Sequence, residues 1–172
     1  TAAVDHLASL DDAASGTRRE RLLSSMAGAE KHELELFEVL LSGLASLDRV
    51  RLYGSPARRT ATAYFRVDGY TPRAVAEHLA EVRVNVWDGH NYAWEITGAL
   101  GIRDSGGAVR AGLVHYNDHS DVERLLQGVA DLAQHHVGHN IGLAGHEPPY
   151  IDEGWGDHCE SAHTNYDADD AV

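Results

Sequence analysis

Residues 107–126, with the sequence GAVRAGLVHYNDHSDVERLL, restrict the possible fold more than any other stretch of the chain. Residues 109–116 alternate between two faces, which is the period of a half-buried strand. A short polar run then interrupts the alternation, and Ser120 and Glu123 have the spacing of a capping box that opens a helix. The stretch therefore predicts a strand, a polar turn and an amphipathic helix. The apolar stripe of that helix comprises Val122, Leu125, Leu126, Val129, Leu132 and Ala133.

Arg110 is the unusual residue of this strand, because it brings a guanidinium to the start of a mostly apolar segment. Taken alone, an arginine on a strand is more often a solvated edge residue than a ligand. The residues by themselves therefore leave two interpretations open, a solvated edge residue and a residue that binds a ligand.

Four further helices are predicted before this stretch, and the first is the apolar segment 2–10, in which Leu7 and Leu10 have helical spacing. A capping box made by the threonine and glutamate of residues 17–20 opens a long helix that should extend to about Leu47. Thr71 and Pro72 have the residue types of an N-cap and a first helical position, and residues 92–100 predict a short helix. The apolar stripe of the long helix comprises Leu22, Leu23, Met26, Leu34, Phe37, Leu41 and Leu44.

Strands are predicted at residues 50–53, 61–67 and 82–87, in addition to the one at 109–116. The third of these alternates three valines with other residues, which is the pattern of a half-buried strand. The order of helices and strands predicts the α+β fold class, with a small antiparallel or mixed sheet of about four strands packed with helices.

Length, charge and cysteine content narrow the function. A chain of 172 residues is long enough for one domain and a tail. The net charge of −13 argues against nucleic acid or an anionic membrane as a partner, and no apolar run is long enough to span a bilayer. Cys159 is the only cysteine. An intramolecular disulfide is therefore impossible, and we expect a reducing, cytoplasmic location.

Residues 134–172 differ from the rest of the chain, because they contain neither lysine nor arginine and show no sustained periodicity. This composition predicts an acidic, histidine-rich and poorly ordered tail. The potential metal ligands of the tail match no compact zinc pattern, so no metal site is predicted. They are His135, His136, His139, His146, His158, Cys159 and His163.

The segment from residue 109 to residue 126 resembles the C-terminal strand and helix of class V pyridoxal-phosphate (PLP) enzymes, which include the cysteine desulfurases and desulfurase-like aminotransferases. Upstream pieces follow in the same order as in that family, namely the long helix, RLYGSP at 51–56, the strand ATAYFRV and WDGHNYA at 87–93. The matching residues of the C-terminal motif are Val109, Arg110, Gly112, Tyr116, Asn117, Asp121, Val122, Glu123 and Leu125.

The resemblance covers about residues 1–133 and implies the C-terminal, small domain of a fold-type I PLP-dependent transferase. Residues 1–47 would form a helical connector and the long helix, and residues 48–133 the small α+β domain. In this family the small domain closes over a PLP-binding large domain and supplies an arginine that binds the carboxylate of an amino-acid substrate. Arg110 falls at that motif position, and a guanidinium can donate two parallel hydrogen bonds to a carboxylate. The resemblance further implies PLP as the cofactor of the full-length enzyme, and a homodimer.

His90, Asn91 and Tyr92 form the active-site loop that the resemblance implies. Tyr92 falls where cysteine desulfurases carry their nucleophilic cysteine, and the two preceding places are usually histidines. A phenol cannot form a persulfide, so an aminotransferase-, epimerase- or lyase-type reaction fits this loop better than sulfur transfer. Alternatively, the aromatic residues of the loop only pack against the sheet.

Lys31 is the only lysine and stands beside acidic helix neighbours, which favour its charged form. A lysine that forms a Schiff base must lose its proton, so we expect no catalytic residue in this chain and no covalent PLP. We therefore expect the chain to be the C-terminal part of a longer enzyme, inactive alone. The alternative is a free-standing, non-catalytic binding or interaction protein that retains the small-domain fold.

Overall fold

The structure is a computed structural model that describes residues 1–135. The predicted tail from residue 136 onward, with most of its histidines and Cys159, lies outside the described residues. The helices are α1 (Ala2–Leu7), α2 (Arg18–Ala45), α3 (Pro72–Glu81), α4 (Trp94–Ala99) and α5 (His119–His135), and a 3-10 turn spans Arg103–Ser105. The strands are β1 (Val50–Leu52), β2 (Thr62–Val67), β3 (Trp87–Gly89) and β4 (Ala108–Gly112).

The four strands form one sheet in the order β1-β2-β4-β3, and every neighbouring pair is antiparallel. Ala63 lies opposite Ala111 and Phe65 opposite Val109, so small and large apolar side chains of β2 and β4 share one face. The predicted fold class, an α+β domain with a sheet of about four strands, is confirmed.

The core lies on one side of the sheet, which we call the inner face. The side chain of Phe65 is fully buried there, and burial of a side chain of this size stabilises the fold by about 1.5–3 kcal/mol. The opposite, outer face carries the half-buried Tyr64 and Arg66 and the exposed Arg110. Helices α2, α3 and α5 contribute to the same cluster, with Leu36, Phe37, Leu40, Leu44, Val75, Leu79, Val122, Leu125, Val129 and Leu132.

The start of α2 confirms the predicted capping box, because the Thr17 hydroxyl accepts a hydrogen bond from the Glu20 amide and the Glu20 carboxylate accepts one from the Thr17 amide. The predicted apolar stripe is wrong over the first turns, where Leu23 and Met26 are exposed. Only the C-terminal half of α2 lies against the core, so apolar residues near its N-terminus have no sheet to pack against.

The predicted strand at 82–87 is wrong, since β3 spans only Trp87–Gly89. The amides of Val82 and Val84 both donate to the carbonyl of Leu79, and Arg83 adopts a left-handed φ of 64°. These bonds close the C-terminal end of α3 and prevent the valines from extending.

The predicted strand at 109–116 is too long, because β4 ends at Gly112 and only one further ladder bond follows, from the amide of Leu113 to the carbonyl of Ala61.

The predicted capping box of Ser120 and Glu123 is also wrong. The Asp118 carboxylate accepts from the amides of Ser120 and Asp121, and the Asp121 carboxylate accepts from the Asp118 amide. The chain turns earlier than predicted, so Asp118 becomes the N-cap of α5.

Within residues 1–135, no helix combines the length and the apolar character that crossing a bilayer requires.

Candidate functional site

Arg110 lies in the middle of a row of side chains across the outer face of the sheet. The register places Tyr64 of β2 opposite Arg110 on one side and Trp87 of β3 opposite it on the other. Residues that lie directly opposite in antiparallel strands project from the same face, with Cβ atoms about 4.5–5.5 Å apart. Arg110 therefore lies between two aromatic residues of the neighbouring strands.

The side chain of Arg110 has no carboxylate partner among residues 1–135 and is exposed. It lines a shallow, open depression of about 410 Å³ together with Thr62, Asn85, Trp87 and Val114. A guanidinium presents its donors as a planar fork, so an unpaired one in an open depression can bind a carboxylate with two parallel hydrogen bonds.

The loop of His90, Asn91 and Tyr92, which we call the 90–92 loop, begins directly after β3 and has an unusual backbone. Asn91 and Tyr92 both adopt positive φ, of 53° and 60°, which asparagine tolerates and tyrosine rarely adopts. Hydrogen bonds stabilise this conformation locally. The Asn91 Nδ2 donates to the Gly89 carbonyl at 3.0 Å, the Tyr92 amide donates to His90 Nδ1 at 3.1 Å, and the Ala93 amide donates to the His90 carbonyl at 2.8 Å.

The aromatic rings of the loop contact one another. The His90 ring lies edge-on to Tyr92, with ring centroids 6.3 Å apart, and edge-on to Trp94 at 5.4 Å. The guanidinium of Arg103 lies 4.5 Å from the centroid of the Trp94 ring and covers one of its faces. Tyr92 is 85% exposed. The alternative interpretation, in which the aromatic residues of the loop only pack against the sheet, therefore does not hold for Tyr92.

Two residues that the sequence analysis did not single out connect the loop to the sheet. The Tyr64 phenol donates to the carbonyl of Gly89, with 2.9 Å between the oxygens. Gly107, with a φ of 69°, approaches the same peptide so closely that a Cβ at this position would collide with the Gly89 carbonyl. Alternation along residues 61–67 indicates that Tyr64 faces away from the core, and two successive glycines at 106–107 indicate a turn, but neither signal identifies the contact.

Comparison with known proteins identifies the family. The family model for class V aminotransferases matches residues 21–125. The chain belongs to the class V aminotransferase family. An uncharacterized protein of Mycobacterium tuberculosis is 34% identical over 131 residues, which is 76% of this chain and 32% of that protein. A probable cysteine desulfurase of Pseudomonas putida is 34% identical over 128 residues, which is 74% of this chain and 27% of that protein.

A solved structure agrees with these relatives. The apo cysteine desulfurase of Thermococcus onnurineus superposes with a TM-score of 0.60 and 29% identity, over 67% of this class V chain and 28% of that one. The predicted resemblance is therefore confirmed. The chain spans only about a third or less of the length of the relatives that it matches.

Class V aminotransferases depend on PLP, and the described residues of this class V chain do not fit a covalent PLP site. Lys31 lies on α2 with its side chain 79% exposed, and its ammonium is 3.9 Å from the carboxylate of Glu35. A lysine that forms a Schiff base with PLP must lie in a site that holds the cofactor, whereas the Lys31 side chain lies exposed on the helix surface. Helix α2 packs on the inner face of the sheet, opposite to the face that carries Arg110.

Proposed function

We propose that this chain is the C-terminal region of a PLP-dependent class V enzyme and supplies the group that binds the carboxylate of an amino-acid substrate. Arg110 is that group in the proposal. The observation that carries it is the unpaired guanidinium of Arg110 on the outer face, on the strand that pairs with β3, and β3 leads into the loop of His90, Asn91 and Tyr92. Residues 1–133 form the class V portion, as the motif order predicts.

PLP belongs to a partner large domain in this proposal, because Lys31 does not fit the cofactor. The same proposal includes a homodimer as the assembled form. The described residues of this chain bind and orient the substrate, and no proton transfer is assigned to them. The reaction is of the aminotransferase, epimerase or lyase type, because Tyr92 stands at the loop position at which a sulfur-transferring relative needs a thiol.

The test compares two substrates in two variants of the protein produced from its complete reading frame and loaded with PLP. One substrate is an amino acid that the wild type converts, and the other is the amine that lacks its carboxylate. Arg110→Lys keeps the charge but loses the fork of donors. The loss of a charge-assisted bidentate contact costs about 2–3 kcal/mol, so kcat/KM for the amino acid should fall roughly a hundredfold.

The amine should react equally poorly with the wild type and with Arg110→Lys, because it has no carboxylate for either side chain to bind. Arg51→Lys is the matched control, since Arg51 is also an exposed arginine on an antiparallel strand of the same sheet. It should leave kcat/KM unchanged. If Arg110→Lys slows both substrates alike, Arg110 does not bind the carboxylate. If the loaded protein converts no amino acid, the non-catalytic alternative is favoured instead.

A further inference from the structure

We propose that Tyr64 is a positioning residue that fixes the start of the 90–92 loop relative to Arg110. The hydrogen bond from the Tyr64 phenol to the Gly89 carbonyl performs this role. The geometry stands independently of any substrate, and only its consequence for catalysis rests on the proposed function.

The path of the Tyr64 side chain is set by the strand order. Strand β4 lies between β2 and β3, so a contact from Tyr64 of β2 to Gly89 of β3 must pass over β4. Tyr64 lies opposite Arg110, so the phenol crosses on the outer face, the same face that carries Arg110. The residue of β4 that lies opposite Gly89 is Ala108, which is fully buried. Its small side chain leaves room for the tyrosine ring above the strand.

The base of the Tyr64 side chain is held by β1 and the segment that follows it. The amide of Tyr53 donates to the carbonyl of Tyr64 at 2.8 Å. The rings of Tyr53 and Tyr64 also pack with centroids 6.0 Å apart and planes inclined by 58°. The phenol oxygen therefore extends from a fixed point of the sheet.

The Gly89 carbonyl receives two side-chain donors, one from the sheet and one from the loop. Tyr64 donates from the sheet at 2.9 Å, and Asn91 donates from the loop at 3.0 Å. The other hydrogen bonds of the loop, those to His90, are local to it. Among residues 1–135, Tyr64 is thus the side chain of β2 that connects the start of the loop to the sheet. Loss of this bond should let the strained backbone at Asn91 and Tyr92 relax.

The first experiment measures amide hydrogen exchange by NMR on the full chain. Tyr64→Phe removes the phenol oxygen and keeps the ring. Exchange at the Tyr92 and Ala93 amides should become about fivefold faster, as expected for loss of a hydrogen bond with a net contribution near 1 kcal/mol. Exchange in the core of α5, at Val129, should not change. Equal rates at Tyr92 in Tyr64→Phe and wild type would overturn the proposal, and so would a uniform acceleration that includes Val129.

Tyr53→Phe is the matched control, because the Tyr53 hydroxyl has no hydrogen-bond partner within the described part of the chain while its ring packs on Tyr64. This variant should leave exchange at Tyr92 and Ala93 unchanged. An acceleration of the same size in Tyr53→Phe would show that ring packing, not the phenol bond, holds the loop.

The second experiment measures kinetics in the PLP-loaded protein. Tyr64→Phe should lower kcat severalfold with little change in KM, because Arg110 still binds the substrate while the loop is misplaced. A rise in KM with unchanged kcat would contradict a positioning role. If Arg110→Lys has no selective effect but Tyr64→Phe still accelerates exchange at Tyr92, the proposed function fails and the positioning contact stands.

Discussion

Substitution of Gly107 by alanine should separate the end of β3 from the start of β4 and loosen the 90–92 loop. Gly107 has a φ of 69°, and it forms a bridge with Gly89. An added Cβ would collide with the carbonyl of Gly89 and approach the amide nitrogen of His90. Both obstacles are backbone atoms, so no flexible side chain can move aside to relieve the contact.

The expected cost has two parts. Alanine in the left-handed region costs about 1–2 kcal/mol relative to glycine. Displacement of Gly89 then weakens the hydrogen bond from Tyr64, with a net loss of about 1 kcal/mol. Gly107→Ala should therefore lower the free energy of unfolding by about 2–3 kcal/mol. Gly106→Ala is the matched control, because Gly106 also has a positive φ of 87° but an added Cβ would lie 3.5 Å from Pro72, an ordinary contact.

Urea unfolding of the wild type and the two variants measures this difference. Gly107→Ala should be less stable than Gly106→Ala by about 1 kcal/mol or more. Its Tyr92 amide should also exchange faster, as in Tyr64→Phe, whereas in Gly106→Ala it should not. Equal destabilisation in the two variants, or an unchanged loop in Gly107→Ala, would refute the claim that the close approach of Gly107 to Gly89 holds the loop.

Two further predictions concern acid stability and the cofactor. The hydroxyl of Ser120 and the amide of Asp121 donate to Asp118 and lower its pKa, so this carboxylate stabilises the fold above its ordinary pKa and the contribution is lost as the pH falls below about 4. Asp118→Asn keeps the cap but does not titrate. Urea midpoints should therefore fall less steeply from pH 7 to pH 3 in this variant than in the wild type. Parallel profiles would contradict the stabilising role of the Asp118 carboxylate. Mixing the chain with PLP and borohydride should give no stoichiometric adduct at Lys31 by peptide mass spectrometry, and a stable adduct there would show that the exposed amine fits the cofactor after all.

Helix starts were predictable from the sequence where one local side chain decides them. Thr17 caps α2, and Thr71 accepts from the Ala74 amide at the start of α3, as their residue types indicate. The start of α5 was predicted wrongly because two acceptors, Asp118 and Ser120, compete within three residues, and the end of the preceding turn decides between them. Local propensity does not contain that information.

The third strand shows a different kind of failure. Three alternating valines predict a strand, but the same residues follow a helix whose last carbonyls need partners. Val82 and Val84 donate to the Leu79 carbonyl, and the half-buried Val84 and Val86 pack against the core without entering the sheet. Hydrophobic alternation therefore predicted that these valines contact the core, and it could not predict that they do so outside a strand.

For the candidate site, too, alternation predicts one feature and misses another: it predicts the face of each side chain but not the register between strands. Alternation places Tyr64 and Arg110 on the face opposite to Phe65 and Val109, and it does not say which residues lie opposite one another. A slip of β2 by two residues would keep every side chain on its face, but it would place Thr62 or Arg66 opposite Arg110 and move the phenol away from Gly89. The contact between the sheet and the loop therefore depends on the register between β2 and β4, which the packing of the whole domain sets. A motif match can name Arg110, but the residue that fixes the loop after β3 can be identified only once the strands are paired.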